Sequence, residues 1–129
     1  MDQKLRVLIV DNAPEILAIL AELFEDQGFE AVVAKNGEEA FLNFEKSVAR
    51  NRPFNLISLD INMPDIQGPA LASELRARGY QGPMVAFSAM ATFSMKKKTL
   101  DHGISAYFSK KVLSPDLIRA IRDRYCREI

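Results

Sequence analysis

Residues 54–68 read Phe-Asn-Leu-Ile-Ser-Leu-Asp-Ile-Asn-Met-Pro-Asp-Ile-Gln-Gly. The opening run, Phe54 to Leu59, has the length and apolar content of one buried strand, and it ends on a carboxylate, Asp60. Beyond Asp60, Gly68-Pro69 open an amphipathic stretch in which Leu71 and Leu75 share a face, ending at Gly79. A buried strand, an acidic end and a following helix together make one β-α unit.

The same rhythm recurs on both sides. Further apolar runs stand at 5–10 (LRVLIV), 29–34 (FEAVVA), 83–88 (PMVAFS) and 104–109 (ISAYFS). The first helical stretch carries Ile16, Leu17, Leu20, Leu23 and Phe24 on one face, with Pro14 in its first turn and Gly28 at its end. A second follows Asn36-Gly37 and presents Ala40, Phe41, Phe44 and Val48. A fourth is expected over 92–101, ending at Gly103, and a fifth begins at Ser114-Pro115 with Leu117, Ile118 and Ile121 inward. Alternation of this kind predicts an α/β fold: a doubly wound five-stranded parallel sheet with five helices covering both faces. The runs at 5–10, 54–59 and 83–88 are the most continuously apolar and belong in the centre. Glu30 in the second run and the serines of the fifth mark those two as edges.

The chain has 129 residues, 48% apolar and 26% charged, which fits a single domain spanning 1–129 with one core. Seventeen basic and seventeen acidic residues cancel, so no net field draws it to nucleic acid or an anionic membrane. Cys126 is the only cysteine and cannot form an internal disulfide, which fits a reducing cytoplasm. No apolar run is long enough to span a bilayer, and the start, MDQKLRVLIVD, lacks the features of a signal peptide. Neither GxGxxG nor GxxxxGK[ST] occurs, so phosphate is not held by a glycine-rich loop.

In an open parallel sheet, ligands bind beyond the carboxyl ends of the strands. Polar residues stand at those ends: Asp11-Asn12 after the first run, Asp60 after the third, Ser88 at the end of the fourth and Lys110 after the fifth. An isolated Asp past a strand is ordinarily a cap or loop residue, but this set falls at the ends of four different strands. Hard oxygen ligands of this kind suit Mg²⁺, and the lysine and serine can pair with phosphoryl oxygens. A carboxylate beside a divalent cation can accept a phosphoryl group as an acyl phosphate.

At these residues the chain resembles the receiver domains of bacterial two-component response regulators and hybrid histidine kinases. VLIVDNAPEIL resembles the first strand with its acidic pair, NLISLDINMPDIQG the phosphoacceptor segment, VAFSA the fourth strand and GISAYFSKK the fifth. The resemblance covers nearly the whole chain and implies a flavodoxin-like, chemotaxis-regulator-like fold with strand order 2-1-3-4-5. It implies Asp60 as phosphoacceptor, and Asp11, Asn12, Asp60 and the Asn62 carbonyl as the Mg²⁺ site. Ser88 and Tyr107 then form the switch pair, and Lys110 contacts the phosphoryl group. The implied partners are a histidine kinase or phosphotransfer protein and a downstream protein, with the domain a monomer or weak dimer and not an enzyme.

Two residues depart from the family. Asn12 replaces the second carboxylate of the acidic pair, which weakens the expected hold on Mg²⁺. Lys111 replaces the proline that usually follows the lysine, and a trans Lys110–Lys111 peptide is expected because cis costs about 2.5–4 kcal/mol without proline. Asn12 also supports an alternative, a pseudo-receiver that binds partners without phosphate. A haloacid-dehalogenase-type phosphatase would need a second Asp two residues after its nucleophile, where Asp11 is followed by Asn12 and Ala13. A flavin carrier would need a Ser/Thr/Gly-rich phosphate loop after the first strand. The remaining features read as structural: Lys96–Lys98 as a solvated face, His102 as a helix-end residue, Cys126 as inert, and Met63 and Met90 as packing.

Overall fold

The structure, a computed structural model, describes residues 4–89, 97 and 102–126. Its strands are β1 (Leu5–Val10), β2 (Phe29–Ala34), β3 (Leu56–Asp60), β4 (Met84–Ser88) and β5 (Ala106–Ser109). Its helices are α1 (Pro14–Asp26), α2 (Gly37–Ala49), α3 (Gly68–Ala77) and α4 (Pro115–Tyr125), with a 3₁₀ turn at Lys110–Val112. Of the helix expected over 92–101 only Lys97 is described, in helical conformation, and the rest of it, with Met90, falls outside the described residues.

All four strand pairings are parallel, in the order β2-β1-β3-β4-β5. The three most apolar runs occupy the centre, and the two runs carrying polar residues lie at the edges. Every residue of β3 and β4 is buried, as expected for strands covered on both faces.

Period-two alternation divides the core. Leu8, Val10, Ile57, Leu59, Met84 and Ala86 face α2 and α3, meeting Ala40, Phe44, Leu71 and Leu75. Val7, Ile9, Leu56, Val85 and Phe87 face the other way, onto Leu20 and Phe24 of α1 and Ile118 and Ile121 of α4. Burying each such side chain contributes about 1.5–3 kcal/mol.

The helix ends follow the sequence signals. Asn36 accepts from the Glu39 amide (2.8 Å) and Ser114 from the Leu117 amide (3.1 Å). Gly28, at φ +90°, takes the left-handed conformation that closes α1. One expected inward residue is corrected. Val48 is 63% exposed, and Ser47 is buried in its place. At 3.6 residues per turn, the stripe Ala40–Phe44 continues to position 47, which rotates Val48 into solvent. Ser47 satisfies its hydroxyl by donating to the Phe44 carbonyl (2.6 Å).

Candidate functional site

The carboxyl ends of β1, β3 and β5 bring Asp11, Asp60 and Lys110 together. Asp11 is the first residue beyond β1. Its amide donates to the Ala34 carbonyl at the end of β2 (3.1 Å), and its Oδ1 accepts from the Ala13 amide (2.9 Å). Those two bonds aim Oδ2 at Lys110, whose Nζ stands 2.8 Å away. Asp60 closes β3, and its Oδ1 lies 3.2 Å from the same Nζ and accepts a long 3.4 Å hydrogen bond from the Asn62 amide. One ammonium is thus shared by two carboxylates whose side chains are only 1% and 4% exposed.

Burial, joined by the charge of Asp11, holds the Asp60 carboxyl above the usual carboxylate value, although Lys110 opposes both. Burial alone would lower Lys110, but hydrogen bonding to Asp11 and the charges of both carboxylates outweigh it and hold the ammonium above its ordinary value. Lys110 is therefore firmly cationic, and Asp60 is a carboxylate whose charge is poorly solvated.

Ser88 and Tyr107 are where the sequence placed them. Ser88 is fully buried at the end of β4, one residue beyond the Asp60–Phe87 pair. Tyr107 pairs with Ala86 across β4 and β5, and its ring is packed into the α2–α3 side of the core. Asn12 and Asn62 are exposed beside the carboxylates. Among the described residues, no group of three or more His, Cys, Asp or Glu gathers as a metal cluster. Of the expected cation ligands Asp11, Asp60, the Asn12 amide and the Asn62 carbonyl, the structure brings the two carboxylates together at Lys110. Asp11 Oδ2 is buried and, apart from its ion pair with Lys110, accepts no hydrogen bond of ordinary geometry. An oxygen in that state fits a hard cation.

The chain turns after Lys110 without proline. No peptide among the described residues is cis, so the Lys110–Lys111 bond is trans as expected. The turn is a 3₁₀ helix, with Ser109 Oγ accepting from the Lys111 amide (3.1 Å) and the Leu113 amide donating to the Lys110 carbonyl (3.4 Å).

The loop between β3 and α3 is held at both ends. Gly68 donates to the Ile61 carbonyl (2.8 Å), and a Cβ on Gly68 would lie 2.9 Å from both the Asp60 carbonyl oxygen and Ile61 Cα. In the middle of the loop, Asp65 Oδ2 accepts from the Gly37 amide at the start of α2 (2.9 Å). Sequence reasoning missed this second contact. Asn36-Gly37 was legible as the start of a helix and Asp65 as part of the segment after Asp60, but nothing local says that they meet. Of the residues read as structural, Met63 is buried in the core, Lys97 is exposed, and His102 Nδ1 lies 2.9 Å from Ser73 Oγ. Burial pushes the Cys126 thiol up to about 11, which fits an inert residue.

Comparison with known proteins bears on the family and the fold. Residues 7–122 match the response regulator receiver domain family. The chain belongs to that family. Among curated relatives, the receiver is similar to the transcriptional regulatory protein PrrA of Mycobacterium tuberculosis, at 32% identity over 117 residues and 91% of this chain. It spans only 48% of PrrA, and only 15% of a Myxococcus xanthus gliding motility regulatory protein that it also matches. Among solved structures, it is similar to a CheY-like receiver from Methanospirillum hungatei, with a TM-score of 0.81 at 27% identity, covering 95% of this chain and 94% of that one. The BeF3-activated receiver domain of Klebsiella pneumoniae RstA matches with a TM-score of 0.80 at 27% identity, covering 95% and 99%. The receiver fold is flavodoxin-like, with the 2-1-3-4-5 strand order.

Proposed function

We propose that the chain accepts a phosphoryl group on Asp60 from a histidine kinase or phosphotransfer protein and passes the signal on by altered binding of a protein partner. The single observation that supports this most is the Lys110 ammonium, held between Asp11 and Asp60 at 2.8 and 3.2 Å. Lys110 and the Asn62 amide both engage Asp60 Oδ1, so in this reading Oδ2 is the attacking oxygen. That oxygen forms the new bond to phosphorus as the phosphorus–nitrogen bond of a phosphohistidine breaks. The departing imidazole nitrogen keeps the bonding pair, and Lys110 faces the charge on the transferred group.

Asp11, Asp60, Asn12 and the Asn62 carbonyl would hold Mg²⁺, which when bound offsets charge on the phosphoryl oxygens. Ser88 and Tyr107 are the pair that would couple acyl phosphate to the partner surface as a shift between two populated states. In this reading the chain is a switch and not an enzyme, works in the cytoplasm as a monomer or weak dimer, and does not contact nucleic acid itself. Among the described residues, no helix is long and apolar enough to cross a membrane.

Asn12 favours a second reading, a pseudo-receiver that binds its partner without phosphate. Incubation with acetyl phosphate and Mg²⁺, followed by intact-mass analysis, separates the two. The expected result is one added phosphoryl group, absent in Asp60→Asn. An unmodified wild type under conditions that label a receiver with two acidic residues supports the pseudo-receiver.

A further inference from the structure

The side chain that reaches the acceptor loop from within has no role in the chemistry described above. Asp65 lies five residues beyond Asp60 and belongs to the β3–α3 loop, yet its Oδ2 is bonded to the first amide of α2, 28 residues away in sequence. The leading amides of a helix have no partner within it. Asn36 satisfies Glu39 from inside the chain's own turn, whereas Gly37 is satisfied from another element. The contact is also closely packed. A Cβ on Gly37 would overlap the Ile66 Cγ2 methyl and lie 3.2 Å from Asp65 Oδ2.

The far side of this contact leads back to the site. Ala34, three residues before Gly37, accepts from the Asp11 amide (3.1 Å). Asp11 is therefore bonded to Ala34, the short segment from Ala34 to Gly37 leads from the end of β2 into α2, and Gly37 is bonded to Asp65. The loop carrying Asp65 also carries Asn62, whose amide reaches Asp60 Oδ1. The two acidic strand ends are thus cross-braced by a route that avoids Lys110.

We propose that Asp65 is a positioning residue: its bond to Gly37 sets the β3–α3 loop, and with it the Asn62 carbonyl, against Asp11 for cation binding. The proposal rests on the Mg²⁺ reading above for its consequence, but the placement of the loop can be measured without metal.

Mg²⁺ affinity is followed by amide NMR in the full chain for wild type, Asp65→Ala, Asp65→Asn, Gly37→Ala and Ser114→Ala. Ser114→Ala removes the α4 cap, outside the β3–α3 loop, and reports what a loss of stability away from that loop does. Asp65→Ala and Gly37→Ala should each weaken Mg²⁺ by roughly three- to tenfold, a factor typical of one lost hydrogen bond. The double variant should be no weaker than Gly37→Ala alone, because the overlap with Ile66 already displaces the loop from the Gly37 amide. Asp65→Asn keeps an acceptor oxygen and should restore affinity to within about twofold of wild type. Unchanged Mg²⁺ affinity in Asp65→Ala, or equal weakening by Ser114→Ala, overturns the proposal.

Hydrogen exchange of the Gly68 amide, measured without metal, reads the loop directly. Faster exchange in Asp65→Ala but not in Ser114→Ala supports the brace, and equal protection refutes it. A wild type indifferent to Mg²⁺ would end the metal reading and leave the exchange result to decide the brace.

Discussion

Replacing Lys110 by alanine removes the only cation lying between Asp11 and Asp60 among the described residues. At 2.8 and 3.2 Å and an effective dielectric near 20, each lost attraction is roughly 5–6 kcal/mol gross. Most of that is offset, because holding the ammonium in the site costs it much of its hydration. Breaking a buried pair by removing one partner costs about 3–5 kcal/mol, and the 16% exposure of Lys110 places this case at the lower end. At roughly 4 °C per kcal/mol for a domain of this size, Lys110→Ala should lower Tm by about 10–15 °C at pH 7. The deficit carries a pH signature. Asp60 already has a raised folded value, so its contribution to stability is complete below its unfolded value near 3.8 and is lost as pH rises through the folded one. Without Lys110, the folded value rises further and that loss grows. The gap in Tm between wild type and variant should therefore be small near pH 4 and widen as pH rises. Calorimetry across this range checks it, with Asp60→Asn in the Lys110→Ala background expected to recover most of the loss. A pH-independent gap, or no recovery in the double variant, would refute the shared-ammonium reasoning.

Three further outcomes are expected. Asn12→Asp should bind Mg²⁺ about tenfold more tightly than wild type, read by titration; equal dissociation constants would place position 12 away from the ion. Gly68→Ala should cost about 2 kcal/mol or more, because its Cβ meets the Asp60 carbonyl oxygen and Ile61 Cα at 2.9 Å, and its phosphorylation by acetyl phosphate should slow; wild-type urea midpoint and labelling rate would contradict the close approach. Lys111→Pro, although it restores the family's usual residue, should destabilise by about 1 kcal/mol, since the Lys111 amide donates to Ser109 Oγ at 3.1 Å and proline disfavours helical backbone at Lys110. A rise in Tm for this variant would show that the 3₁₀ turn contributes little.

Most of the fold was legible because parallel strands buried on both faces leave a strong apolar signal. Strand order within the sheet was not: periodicity separated centre from edge, and only the resemblance supplied 2-1-3-4-5. Val48 was misplaced because an apolar residue at the rim of a helical stripe differs from its neighbour by one 100° step, and Ser47 can hide its hydroxyl on its own helix. At the site, Asp11, Asp60, Ser88 and Lys110 could be read because each follows or ends an apolar run. The brace from Asp65 to Gly37 could not, because it joins two segments across 28 residues and each is explained locally without the other. The loop path after Lys110 was legible only as an energetic exclusion, a trans bond, while the 3₁₀ turn that realises it depends on Ser109.

The sheet divides the interior into two clusters that share no side chain, one beneath α2 and α3 and one beneath α1 and α4. Free-energy changes at distant sites without shared partners add, so a substitution such as Phe24→Leu can be compensated by repacking among Leu20, Ile118 and Ile121 without disturbing Phe44 or Leu75. Substitutions on one face should therefore be tolerated independently of those on the other. The α2–α3 face is tied to the acceptor loop through Gly37, Gly68 and the buried ring of Tyr107, so its variation is constrained by the chemistry at Asp60. The α1–α4 face is bound mainly by its own packing, which leaves it the cheaper place for a lineage to rewrite while the phosphoacceptor edge stays intact.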